Sequence, residues 1–177
     1  MIILITGKPR SGKTTLVKNI IRQLPHQSYG GFYTEEVRNS DNNRTGFKLK
    51  TTDGQETVLA DINLESQYQI GKYKVNITGI ETIGIETINQ ALNEKAIIII
   101  DEIGKMELCS EKFQNAIQLL LANLGQKILI ATVPISNLPI VAQLKQRTDA
   151  IIFDTSKNKN AVILNEILSL VKNEKIS

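Results

Sequence analysis

Gly7-Lys8-Pro9-Arg10-Ser11-Gly12-Lys13-Thr14-Thr15 decides the reading of this chain, because its first eight residues run glycine, four residues, then glycine-lysine-threonine. That spacing is the phosphate-binding P-loop when a buried strand precedes it and a helix follows. Both flanks are present. Ile2 to Ile5 is an apolar run, mostly β-branched, suited to a central parallel strand. Beyond the loop, Leu16, Val17, Ile20, Ile21 and Leu24 recur at helical spacing until Pro25 stops them. Gly7 and Gly12 allow the tight backbone that turns successive N–H groups onto an anion, and the helix N-terminus adds its partial positive charge. Lys13 is then placed to reach the β- and γ-phosphates, and the Thr14 hydroxyl to ligate Mg²⁺. Lys8, Pro9, Arg10, Ser11 and Thr15 complete the candidate nucleotide-binding loop. Arg10 stands where many P-loops carry glycine; it either adds charge near the phosphates or points to solvent.

The second half of such a site is an apolar strand ending in acid, and Ile97 to Ile100 followed by Asp101-Glu102 supplies it. Asp101 is the candidate for holding Mg²⁺ beside Thr14, and Glu102 for orienting or deprotonating an attacking water. Asp101-x-x-Gly104 also reads as the pattern by which guanine-nucleotide switches sense a γ-phosphate through a backbone N–H, which makes Gly104 a candidate nucleotide contact. A guanine-reading Asn-Lys-x-Asp is incomplete, since Asn158-Lys159-Asn160 is followed by Ala161. The site is therefore expected to grip phosphates firmly and the base loosely.

The rest of the chain alternates strands and helices. Short β-type segments at 31–37, 46–51 and 57–60 are separated by turn formers, among them Asp53-Gly54. Residues 61–78 show no clear period, and the tandem Gly79 to Ile83, Gly84 to Ile88 reads as a helix entry continuing to about Glu94. Ser110 reads as an N-cap for a helix ending at Gly125, followed by strands at 127–133 and 150–153 and helices at 140–146 and 161–171. The expected fold class is α/β, a three-layer P-loop NTPase sandwich with a mainly parallel sheet and a small antiparallel β insert at about 31–60, in a single domain over 1–177.

Several stretches resemble one known family. Gly31-Phe32-Tyr33-Thr34-Glu35-Glu36-Val37-Arg38, Arg44-Thr45-Gly46-Phe47, Asp101 to Leu108 and Ala131-Thr132-Val133-Pro134 are similar to the THEP-type nucleoside triphosphatases, also called the cancer-related NTPase family. The resemblance covers residues 1 to about 165. It implies hydrolysis of several nucleoside triphosphates (ATP, GTP, CTP, UTP) with Mg²⁺, and of diphosphates less well. It also implies that the whole segment 97–104 binds nucleotide, and only through this resemblance does Ile103 join the candidate contacts. The chain departs from the family pattern at Arg10, usually glycine, and at Lys159, where the family tends to carry arginine. Arg38 and Arg44 end motifs of the insert and are candidate catalytic cations for the transition-state oxygens, with solvated hairpin arginines as the other reading. Lys105 and Glu107 either pair with each other or orient the loop after Glu102.

Composition sets the remaining bounds. The 177 residues are 41% hydrophobic and 22% charged, with a net charge of +3, which suits a polyphosphate ligand and does not argue for a nucleic-acid surface. One cysteine, Cys109, and one histidine, His26, leave no disulfide and no multi-cysteine metal site. No secretory leader or membrane-length apolar run is visible, so the reading is a cytoplasmic monomer with no membrane partner. Two other classes stay open: a nucleoside or nucleotide kinase, which shares the P-loop and strand-end acids, and a nucleotide-gated binding module.

Overall fold

The computed structural model describes residues 1–174. From β1 (Ile2–Thr6) the chain passes through the P-loop into α1 (Lys13–Gln23). A long strand β2 (Tyr29–Arg38) turns back into β3 (Arg44–Thr51) and β4 (Glu56–Asp61), and two short strands follow, β5 (Gln69–Ile70) and β6 (Tyr73–Val75). Helix α2 (Ile77–Gly79), a π-helical stretch Ile80–Gly84 and α3 (Ile85–Glu94) run on from one another. Then come β7 (Ile97–Ile100), α4 (Glu111–Ala122), β8 (Ile128–Thr132), α5 (Pro139–Gln146), β9 (Ala150–Asp154) and α6 (Asn160–Asn173).

Among the described residues, nine strands join one sheet in the order β5-β6-β4-β3-β2-β7-β8-β1-β9. The half from β2 to β9 is parallel and the half from β2 to β5 antiparallel. Strand pleating sends alternate isoleucines to opposite faces. Ile3, Ile5, Ile97 and Ile99 pack on one side with Leu16 and Ile20 of α1 and Ile163 and Ile167 of α6. Ile2, Leu4, Ile98 and Ile100 pack on the other with Ile88 of α3, Phe113 and Ile117 of α4 and Val141 of α5. The parallel strands are thus apolar on both faces, and this is the three-layer sandwich the alternation of elements predicts. Removing one such side chain, as in Ile99→Ala, would cost about 2–5 kcal/mol.

The insert differs from its expected shape. Its antiparallel pairing runs from Phe32 to Val75 rather than over 31 to 60, and its strands extend the main sheet. The joint is β2 itself. Residues Tyr29 to Phe32 pair parallel with Ile97 to Ile100, and Phe32 to Arg38 pair antiparallel with β3. Gly31, at φ 123, is required at that joint, since a Cβ there would lie 2.0 Å from the Ile99 carbonyl oxygen. Strands β5 and β6 escaped the sequence reading because two or three residues carry no period. The helix after them starts earlier than Gly79, because the Asn76 side chain accepts the Gly79 N–H at 3.0 Å and caps it. No helix among the described residues is long and apolar enough to cross a membrane.

Candidate active site

The carboxyl ends of β1, β7, β8 and β9 converge on the P-loop, the place where open parallel sheets hold ligands. The loop is left-handed at Arg10 (φ 66) and Gly12 (φ 87). Arg10 therefore occupies a backbone conformation that glycine adopts freely and other residues rarely do, which explains why glycine is usual there. Two residues brace the loop from the β9–α6 turn. Thr155 Oγ1 lies 2.5 Å from Ser11 Oγ, and Asn160 Nδ2 donates to the carbonyls of Ser11 and Gly12, 3.4 Å from each. Asn160 stands at the variable position of the incomplete Asn-Lys-x-Asp stretch, and its amide braces the loop. Lys13, the first residue of α1, donates from Nζ to the Gly7 carbonyl at 3.2 Å, inside the loop it would use to grip phosphate.

Asp101 is buried at the end of β7. Thr132 Oγ1 donates to its Oδ1 at 2.6 Å, and the Thr34 N–H and hydroxyl both approach Oδ2 at 3.4 Å. Burial pushes this carboxyl up; the hydrogen bonds from Thr132, Thr14 and Thr34, and then the Lys13 charge, pull it back. The Thr14 hydroxyl is close enough to lower the Asp101 carboxyl, and the two remain the candidate pair for a shared cation. Glu102 is also pushed up by burial, lowered by Lys13 and raised by Asp101. The Asp101–Glu102 peptide bond is cis. Because β8 lies between β1 and β7, the acids stand two strand spacings, about 10 Å, from the P-loop strand.

The structure corrects the expectation for Ile103 and Gly104. The Ile103 side chain is in the core and its N–H donates to the Thr132 carbonyl at 2.9 Å. The Gly104 N–H donates to Glu107 Oε2 at 3.2 Å, so neither backbone donor is free to sense a phosphate. Glu107 is buried, and burial together with the neighbouring Glu102 charge pushes its carboxyl up to about 8. It orients the loop after Glu102; Lys105 is exposed and does not pair with it. Cys109 Sγ donates to the Lys105 carbonyl at 3.2 Å and His26 packs edge-on to Tyr29, both away from the phosphate loop.

A cleft of about 880 Å³ opens above these groups. Pro9, Arg10, Lys13, Thr14 and Glu102 line one side, and the insert brings Thr34, Glu36, Arg38 and Arg44 to the other. Both arginines are held by one carboxylate. Arg44 Nη1 lies 2.7 Å from Glu36 Oε1, Arg38 pairs with the same Glu36, and Arg38 Nη1 donates to the Asn42 carbonyl at 2.7 Å. Thr34 and Glu36 were missed as site residues, since polar residues inside a strand carry no signal of their own; Thr155 stands at the carboxyl end of β9, where the sequence already expects ligands.

A protein-family model described as NTPase matches residues 2–168. The nucleoside-triphosphatase THEP1 of Thermotoga sp. (strain RQ2) is 47% identical over 97% of this chain and 96% of its own length. The human cancer-related nucleoside-triphosphatase is 30% identical over 98% of this chain and 97% of its own. The crystal structure of THEP1 from Aquifex aeolicus aligns with a TM-score of 0.86 at 38% identity, covering 96% of this chain and 98% of that one. With matching motifs, a matching fold and near-complete coverage in both directions, this chain belongs to the THEP1-type nucleoside-triphosphatase family.

Proposed function

We propose that the chain hydrolyses nucleoside triphosphates to diphosphate and orthophosphate with Mg²⁺, with little base preference, and acts more slowly on diphosphates. The observation that carries this reading is the juxtaposition of Lys13 and Thr14 with Asp101 and Glu102 at the carboxyl ends of β1 and β7, two parallel strands with β8 between them. The P-loop N–H groups and Lys13 bind the phosphates and offset the charge that develops on them. Glu102 orients the attacking water and accepts its proton as the new bond to γ-phosphorus forms and the bond to the bridging oxygen breaks. Its elevated proton affinity, caused by burial, suits that role.

The residues present fit Mg²⁺. A buried carboxylate facing a threonine hydroxyl is a hard oxygen donor pair, and the described residues contain no larger cluster of His, Cys, Asp and Glu. Mg²⁺ characteristically takes one or two protein oxygens together with phosphates and water. Bound by Thr14 and Asp101, it would neutralise charge on the β- and γ-oxygens. Loose base selection is supported by Ala161, which stands where a guanine-reading Asn-Lys-x-Asp needs its aspartate. A diphosphate fills the loop but extends less far towards Glu102, which accounts for slower turnover.

The test is phosphate release from ATP, GTP, CTP, UTP and their diphosphates, with Mg²⁺ and with EDTA. Release from all four triphosphates at comparable rates, lost in EDTA, is the expected result. Release from one base alone, or undiminished release in EDTA, would refute the corresponding part.

A further inference from the structure

Strand pleating divides the cleft into two halves. Tyr33 and Glu35 of β2 face α1, where Lys18 Nζ lies 5.0 Å over the Tyr33 ring and pairs with Glu35. The alternate residues Glu36 and Arg38 therefore point the other way. There they meet Arg44 and an apolar wall of Phe47, Ile70 and Met106. The hydrolysis derived above uses none of these side chains.

Their chemistry is specific. Two guanidiniums share the single carboxylate of Glu36, so the group carries a surplus positive charge. Arg44 is held in place before any ligand arrives. Its Nε donates to the Tyr73 hydroxyl at 2.9 Å, and its guanidinium lies 4.9 Å over the Phe47 ring and 5.5 Å over the Tyr73 ring. A fixed guanidinium fork matches phosphate oxygens in pairs, and being already ordered it loses little freedom on binding. The wall beside it offers one ring and two apolar side chains, surfaces on which a flat ring packs.

We propose that this half of the cleft is a second ligand subsite, in which Arg38 and Arg44 hold a phosphate and Phe47, Ile70 and Met106 hold a flat ring. The ligand class is a small anion joining the two, the chemistry of a nucleoside monophosphate. It binds beyond the terminal phosphate of the first nucleotide, on the far side of the sheet from α1, and displaces Glu36 from the arginines. The two arginines thereby have a role other than supplying charge to the hydrolytic transition state.

Calorimetric titration of AMP, CMP, GMP or UMP into protein saturated with Mg²⁺ and a non-hydrolysable triphosphate analogue tests the subsite without requiring turnover. At least one mononucleotide is expected to bind saturably. Arg44→Ala and Arg38→Ala should each weaken it about tenfold, the value of one charged hydrogen bond. The same variants should keep wild-type affinity for the analogue, which also shows that they are folded. The proposal is overturned by no mononucleotide binding, by one-for-one displacement of the analogue, or by loss of analogue affinity in both variants, which would assign the arginines to the triphosphate. Inorganic phosphate binding as tightly as the mononucleotide would remove the ring from the site and overturn it as well.

Discussion

Asn160 and Gly12 are in contact across 148 residues of chain: the asparagine Nδ2 lies 3.4 Å from the Gly12 carbonyl oxygen, and a Cβ on Gly12 would stand 2.6 Å from that nitrogen. The P-loop is thus shaped partly from the start of α6. Asn160→Ala leaves every phosphate-facing group in place but frees two loop carbonyls. It should weaken triphosphate binding by about 0.5–1.5 kcal/mol, roughly two- to thirteenfold, measured by titration with a non-hydrolysable analogue. Unchanged affinity would mean the loop holds its shape unaided.

Arg10→Gly removes a side chain from a left-handed backbone position (φ 66). The relief of steric strain exceeds the added freedom of glycine in the unfolded chain, so stability should rise by up to about 1 kcal/mol. Denaturant unfolding measures this gain. A simultaneous fall in triphosphate affinity would place the Arg10 charge on phosphate, and unchanged affinity would place it in solvent.

Glu102→Gln preserves the size of the side chain and deletes its basicity. Binding of the triphosphate should persist while phosphate release falls about 10²–10⁴-fold, the usual value of a positioned general base. Single-turnover kinetics would read both quantities, and turnover at the wild-type rate would remove Glu102 from its role.

Thr132→Val deletes the shortest hydrogen bond to Asp101 while keeping the shape of the buried side chain. An underbonded carboxylate should cost about 1–3 kcal/mol of stability. The Mg²⁺ concentration needed for half-maximal turnover should shift as well, because the carboxylate is no longer anchored. Thermal unfolding and a Mg²⁺ titration check the two effects separately.

Glu107 gives a pH signature. Its carboxyl rises from the ordinary 4.5 to about 8 on folding, so between those values the native state holds a proton that the unfolded chain releases. The stabilisation is complete below about pH 4.5 and is lost as pH climbs towards 8, at a slope of at most roughly 1.4 kcal/mol per pH unit. Glu107→Gln keeps an acceptor for the Gly104 N–H and removes the titration. Wild type should therefore lose stability relative to the variant across that window, and parallel melting curves for the two proteins would refute the assignment.

The parts legible in the sequence were those whose cause is local. Gly7 to Thr14 needs only its own backbone and two flanks, and Ile97 to Glu102 declares itself by an apolar run ending in acids. Arg10 stood out against the motif, and its φ supplies the reason. What could not be read depends on distant partners or on elements too short for a period. Asn160 acts on a loop at the other end of the chain. Gly104 looked like a phosphate sensor until Glu107, an acid folded into the interior, was found holding its N–H. Strands β5 and β6 exist because β4 offers them an edge, not because of their own sequence.

The double pairing of β2 has a mechanical consequence. One unbroken strand is bonded to β7 at its base and to β3 along its upper length, with Thr34 touching Asp101 between the two. The antiparallel flap is therefore a cantilever rooted in the catalytic floor, not a lid on a hinge. Swinging it would mean tearing ladder hydrogen bonds from the centre of the sheet. Any displacement of the root of the flap is therefore felt at Asp101, through Thr34.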